Sequence, residues 1–258
     1  MRILLTNDDG IHAEGLAALE RIAARLSDDV WICAPDTERS GASRALTLTD
    51  PIRVRQLDSR RFSTTGTPTD CVMLGIRELV LGKAPDLVLS GVNRGANLAE
   101  DVTMSGTVAG AIEAMAMGVP GIALSQAGFA EGAKGYGSAE HFAPGIIRRL
   151  IEVGWPADVV MNLNFPSRPI EEIAEVEVTR QGFRDAHVRM VEKRTDLRGR
   201  EYYWVGYSQQ RSEPAPGTDL RALYDGKISV TPLHIDLTHG ESVHKLRSVL
   251  GGPPPKAA

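Results

Sequence analysis

Five short apolar runs set the frame for this chain of 258 residues. They fall at 3–5, 30–34, 87–90, 121–125 and 159–164, and polar or turn-forming residues bound each of them. Continuous apolar runs of this length belong to strands buried on both faces, as in parallel sheets covered by helices. Between the first two runs, Leu16, Leu19, Ile22, Ala23 and Leu26 recur at helical spacing, and the pattern stops before Ser27, Asp28 and Asp29. Strand, turn, helix, strand begins a βαβ unit, and its right-handed crossover places both strand ends on one edge of the sheet.

Further helices follow from the same reasoning. Thr67, Pro68 and Asp70 form a variant capping box that predicts a helix running to about Leu79. Val108, Ala111, Ile112 and Met115 mark another, and 138–153 a third. Segments 45–49, 52–57 and 62–65 alternate in character and are expected to be short strands beside the main sheet. Residues 1–170 thus form an α/β core, mostly parallel sheet flanked by helices. Beyond about 170 the alternation breaks down. Strands are expected at 176–180, 202–207 and 228–233 and a closing helix at 240–250, with a polar stretch over 182–200 between them. Loops longer than roughly 12 to 15 residues usually carry function or are held by a partner. Residues 171–258 are therefore read as a C-terminal β-rich appendage for oligomerisation and active-site cover, ending in a proline-rich tail over 251–258 that is expected to be disordered.

Composition narrows the partners. Hydrophobic residues make up 42% and charged residues 24%, ordinary for a globular protein and against disorder. No apolar run approaches the roughly 20 residues of a membrane span, so a cytoplasmic protein with no membrane partner is expected. Cys33 and Cys71 are too few for a disulfide framework or a zinc cluster and read as buried, reduced thiols. A net charge of −4 argues against a nucleic-acid polymer. A small anionic substrate remains compatible, because a metal ion and a few local cations can invert the field within one cleft.

The chemistry gathers in the loops that follow the strands. The first strand stops at Asn7, Asp8, Asp9 and Gly10, so it delivers two adjacent carboxylates to a turn. Ligands of open parallel sheets bind outside the carboxyl ends of the strands, although Asn, Asp and Gly are also ordinary turn formers. The loop after the second strand carries Arg39, Ser40 and Arg44, and the loop after the third carries Asn93, Arg94 and Asn97 and leads to Ser105, Gly106 and Thr107 at a helix start. Oxygen donors of this kind suit magnesium or manganese, whereas zinc favours the His or Cys that these loops lack apart from His12. A helix N-terminus at Ser105 to Thr107 offers backbone N–H groups and a positive dipole end to phosphate oxygens. Arg39 and Arg94 are candidate anion contacts. Together these pieces describe a phosphomonoester site.

Six motifs carry a resemblance: M-R-I-L-L-T-N-D-D-G at 1–10, A-P-D-T-E-R-S-G-A-S at 34–43, G-T-P-T-D-C-V at 66–72, S-G-V-N-R-G-A-N at 90–97, D-V-T-M-S-G-T-V-A-G-A at 101–111 and I-S-V-T-P-L-H-I-D-L-T at 228–238. The sequence resembles the SurE (survival protein E) family of metal-dependent nucleotidases along nearly its whole length. The resemblance implies a Rossmann-like subunit and one divalent metal, Mg2+ or Mn2+, held by Asp8, Asp9, Ser40 and Asn93. It further implies hydrolysis of nucleoside 5′- and 3′-monophosphates, sometimes short polyphosphate, by homodimers or homotetramers that exchange C-terminal segments. Two positions depart from the family's pattern: Ala99, where glycine is common, and Met104, where an aromatic residue or His precedes Ser-Gly-Thr.

Asp8 and Asp9 are then the candidate catalytic bases for an attacking water, with Asn97 and the N–H groups of Ser105, Gly106 and Thr107 facing the phosphoryl oxygens. Two other readings stand beside this one. A serine esterase using Ser43 would need a nucleophile elbow, and residues 41–45 miss that pattern by the final glycine. A non-catalytic nucleotide-binding oligomer would be expected to carry a dinucleotide or Walker fingerprint, and neither is present.

Overall fold

The computed structural model describes residues 1–128, 135–184, 189–207 and 212–251. The elements in order are β1 (Arg2–Thr6), α1 (Glu14–Ala24), β2 (Asp29–Pro35), β3 (Val54–Asp58), β4 (Arg61–Thr64), α2 (Pro68–Leu74), β5 (Leu87–Arg94), α3 (Gly106–Ala116), β6 (Gly121–Gln126), α4 (Gly137–Val153), β7 (Val159–Phe165), β8 (Val176–Val178), β9 (Arg189–Thr195), β10 (Glu201–Tyr207), α5 (Asp219–Tyr224), β11 (Ile228–His234) and α6 (Gly240–Leu250). Nine strands form one sheet in the order β3-β4-β2-β1-β5-β6-β7-β11-β8. From β4 through β7 the neighbours are parallel. The chain builds outward from β1 on one side, then returns to add β5 on the other. That reversal is a topological switch point, and it opens a crevice beyond the carboxyl ends of β1 and β5.

Alternate residues of the central strands face opposite helix layers. Ile3, Leu5, Leu87, Leu89, Ile122 and Leu124 are almost fully buried against α1 and α4. On the other face Leu4 and Val88 pack with Cys71 and Val72 of α2, and Ala123 and Val160 pack with Val108, Ala111 and Met115 of α3. Burial on both faces is the physical reason the strands read as unbroken apolar runs. The capping box at Thr67 forms as expected, with Thr67 and Asp70 bonding reciprocally. After α2 the coil widens into a π-helical turn, Gly75–Leu79, where Gly75 lies against Leu4 so closely that a Cβ would stand 2.7 Å from its Cδ2.

Several expectations change. Residues 45–49 form no strand: Thr47 donates to the Asp70 carboxylate through both its N–H and its hydroxyl, and the Thr67 hydroxyl donates to the Ala45 carbonyl. Side-chain bonds there satisfy groups that a ladder would otherwise use. The hairpin β3–β4 does not stand beside the main sheet but extends it, because β4 pairs parallel with β2. Sheet character also continues past residue 170, since β11 pairs antiparallel with β7 and β8 parallel with β11. Among the described residues only the hairpin β9–β10 forms a separate two-stranded sheet, and its first strand occupies part of the stretch read as a polar loop. Helix α6 lies where expected, and the tail beyond 251 falls outside the described residues. Cys33 and Cys71 are both buried and free, and their mutual hydrogen bond and burial push the Cys33 thiol up. No described helix is long and apolar enough to cross a membrane.

Candidate active site

The turn after β1 is built by Asn7. Its buried side-chain amide donates to the Gly10 carbonyl and accepts the Gly10 N–H, which closes the turn and directs the two following carboxylates outward. The loop after β2 is fastened to it by the Arg39 N–H, which donates to the Asp8 carbonyl at 2.7 Å. Strand β5 carries a register slip between Ser90 and Asn93 at its edge with β6. Such irregularities re-aim side chains near sites. At Gly91, φ is +135° and a Cβ would stand 2.2 Å from the Leu124 carbonyl oxygen, so only glycine fits.

Asp8 is buried against the start of α3. Its Oδ1 accepts the Thr107 hydroxyl, and the Thr107 N–H assists. This packing depends on Gly106, where a Cβ would lie 2.7 Å from Asp8 Cβ. Burial pushes the Asp8 carboxyl up, and the Thr107 bonds oppose that rise. The helix end expected to meet phosphate therefore spends Thr107 on a carboxylate, the anion already closest to the positive end of the dipole. Ser105 caps α3, its hydroxyl accepting the Val108 N–H.

Asp9 lines a cavity of about 650 Å3 whose lining also includes Ser40, Arg94, Glu14, Glu38 and Tyr136. Its Oδ2 is buried with no hydrogen-bond partner, while the Arg94 N–H serves the carboxylate. Burial and then the neighbouring charge of Asp8 raise Asp9 to about 6. The Ser40 hydroxyl donates to Glu38 at 2.9 Å, which leaves its lone pairs available. The Asn93 amide nitrogen donates to the Gly95 carbonyl, so its oxygen is the end left for a ligand.

Two adjacent carboxylates with an orphaned buried oxygen, a hydroxyl and an amide fit a hard divalent cation. No cluster of three or more His, Cys, Asp or Glu side chains suited to a metal occurs among the described residues. Carboxylate, hydroxyl and amide oxygens are the donors that hard divalent cations take.

Other expected residues divide. Arg94 lines the cavity. Arg39 turns one guanidinium nitrogen to the Thr65 carbonyl and Asp36, while its Nε has no partner. Asn97 is buried, with its amide nitrogen on Ser125 and its backbone bonded to Asn162 and Asn164. Ser43 gives its hydroxyl proton to the Thr103 carbonyl rather than to a base, the opposite of what an esterase nucleophile requires. Sequence reasoning passed over Glu38, Tyr136, Asn162 and Asn164. For the asparagines a signal existed: two amides spaced by two in the otherwise apolar V-V-M-N-L-N-F of β7 share one strand face.

The family model of Survival protein SurE matches residues 3–188. The chain belongs to the SurE family. A protein of Phenylobacterium zucineum (strain HLK1) named 5′-nucleotidase SurE is 75% identical over 256 residues, covering 99% of this chain and 100% of its own. A Caulobacter vibrioides (strain NA1000 / CB15N) protein of the same name is 70% identical over 259 residues, covering 99% and 98%. The SurE structure from Aquifex aeolicus superposes with a TM-score of 0.81 at 39% identity, over 96% of this chain and 99% of that one. The fold is thus shared over nearly the whole chain.

Proposed function

We propose that this SurE-family chain is a metal-dependent phosphomonoesterase, a 5′-nucleotidase that hydrolyses nucleoside 5′-monophosphates to nucleoside and phosphate, and 3′-monophosphates and short polyphosphate alongside them. The observation that carries the reading is the buried, unpartnered Asp9 oxygen beside Asp8, in a cavity shared with Ser40 and Arg94. Relatives named 5′-nucleotidase SurE at 75% and 70% identity supply the reaction class.

Asp8, Asp9, Ser40 and Asn93 would hold one Mg2+ or Mn2+ per subunit. When bound, the cation polarises a phosphoryl oxygen as a Lewis acid. Asp8 is held in place by the Thr107 hydroxyl. Asp9 would take the proton of the attacking water as general base. Arg94 holds the substrate phosphate from the cavity wall. The N–H groups of Ser105 and Gly106, at the start of α3 beside Asp8, are the proposed donors to the equatorial oxygens, together with the second amide hydrogen of Asn97.

Exposed apolar side chains on the hairpin and the last helix, Val191, Tyr203, Trp204, Val205, Val249 and Leu250, support assembly of 171–258 into a homodimer or homotetramer. The two reduced thiols suit the cytoplasm. Phosphate release from 5′- and 3′-mononucleotides, with EDTA and with added Mn2+ or Mg2+, tests the reading. Metal-restored release is expected, and full activity in EDTA would refute it.

A further inference from the structure

The loop between β5 and α3 carries Asn97 at one end and Ser105 at the other, and residues distant in sequence hold its middle. Ala99 sits there with φ +52° and is fully buried between Leu98 and Leu220. Its N–H donates at 2.8 Å to Oδ2 of Asp219, the first residue of α5 and itself 0% exposed. The other oxygen of Asp219 accepts the N–H groups of Gly182 and Leu220, each at 2.8 Å. One turn further, Arg184 reaches Glu100 at 3.2 Å and Asp101 at 2.8 Å, and its N–H also donates to Glu100. The far end of the loop is tied to the loop that carries Ser40, since the N–H and hydroxyl of Ser43 donate to the carbonyls of Met104 and Thr103.

We propose that Asp219 and Arg184 are positioning residues of the nucleotidase reaction, clamping residues 98–101 so that Asn97 and Ser105, the substrate contacts proposed above, stand at fixed places at the two ends of the loop. This rests on the nucleotidase reading above. A left-handed alanine is strained and persists only where its surroundings over-determine it; the Asp219 carboxylate provides that constraint. Neither clamp residue shares a hydrogen bond with Asp8, Asp9, Ser40 or Asn93. The clamp therefore acts first on the substrate side of the site, and it reaches the Ser40 loop only through Ser43.

The test uses the full chain with Arg184→Gln, Arg184→Lys and Asp219→Asn. Four quantities are read: kcat and KM for adenosine 5′-monophosphate, Mn2+ affinity by titration calorimetry, melting temperature, and amide hydrogen exchange over 98–101. Losing a charge-assisted bond should lower kcat/KM about tenfold or more. The loss should fall mainly on KM, with Mn2+ affinity unchanged, exchange accelerated and Arg184→Lys recovering part of the activity. Unchanged kcat/KM in Arg184→Gln overturns the proposal, as does a parallel loss of Mn2+ affinity. Should Asp219→Asn fail to fold, the Arg184 pair decides. A wild-type chain that releases no phosphate refutes the nucleotidase reading instead, and hydrogen exchange still reports whether the clamp exists.

Discussion

Replacing Asp9 with asparagine should stabilise the metal-free protein while destroying its function. The wild-type turn holds two carboxylates side by side, Asp8 buried and Asp9 partly so, with one Asp9 oxygen lacking any partner. Burial and Asp8 raise the Asp9 carboxyl from 3.8 to about 6. A displacement of that size corresponds to about 3 kcal/mol against the folded state at neutral pH. Because part of the carboxyl meets solvent, screening reduces this to about 1–2 kcal/mol. The direction in pH follows. Below 3.8 the acid is neutral in both states and costs nothing; between 3.8 and 6 the unfolded chain ionises first and stability falls; above 6 the full penalty stands. Asp9→Asn removes the charge and keeps the shape. In EDTA at pH 7.5 the variant should melt about 2–8 °C above wild type, and at pH 4 the two should coincide. Saturating Mn2+ reverses the order, since a ligand at a hundred times its Kd adds about 2.7 kcal/mol to the wild type alone. Differential scanning calorimetry at the two pH values, with and without metal, measures all of this. A variant that melts at or below wild type in EDTA at pH 7.5 would refute the electrostatic argument, as would a difference that persists at pH 4.

Three further outcomes follow from the geometry. Thr107→Val keeps the side-chain volume but strips the hydroxyl from Asp8, so urea unfolding should show a loss of about 1–3 kcal/mol and calorimetry a weaker Mn2+ affinity. Gly106→Ala should raise local helix propensity by about 1 kcal/mol yet drive a methyl into Asp8, so a fall in both metal affinity and kcat is expected; wild-type values would show that the contact at Asp8 is slack. Ser43→Ala should retain phosphate release within about twofold, because the hydroxyl proton is spent on a carbonyl, and abolished turnover would revive the esterase reading.

Much of this architecture is legible in the sequence because a doubly covered parallel sheet writes itself as short apolar runs. Ile3, Leu4 and Leu5 face alternate helix layers, yet all three must be apolar, and the run ends where the strand meets the crevice. The same economy makes Asp8, Asp9 and Ser40 readable as candidates, since residues past a strand end are the ones delivered to the edge, while Asn93 stands near the end of β5 itself. Legibility fails where a contact depends on partners far apart in the chain. Thr107 reads as a phosphate donor by position, and only the packing of Gly106 on Asp8, about a hundred residues away, turns it into a carboxylate partner. Residues 45–49 read as a strand by alternation, but Asp70 competes for the backbone and wins. Strand β11 reads as part of an appendage because sequence order says nothing of which edge a late strand joins, and here it lies antiparallel against β7. Ala99 is the sharpest case. As a sequence position it is a departure from glycine with no visible compensation; in the fold its left-handed backbone is held by a carboxylate 120 residues onward, so the substitution and its remedy lie in different halves of the chain.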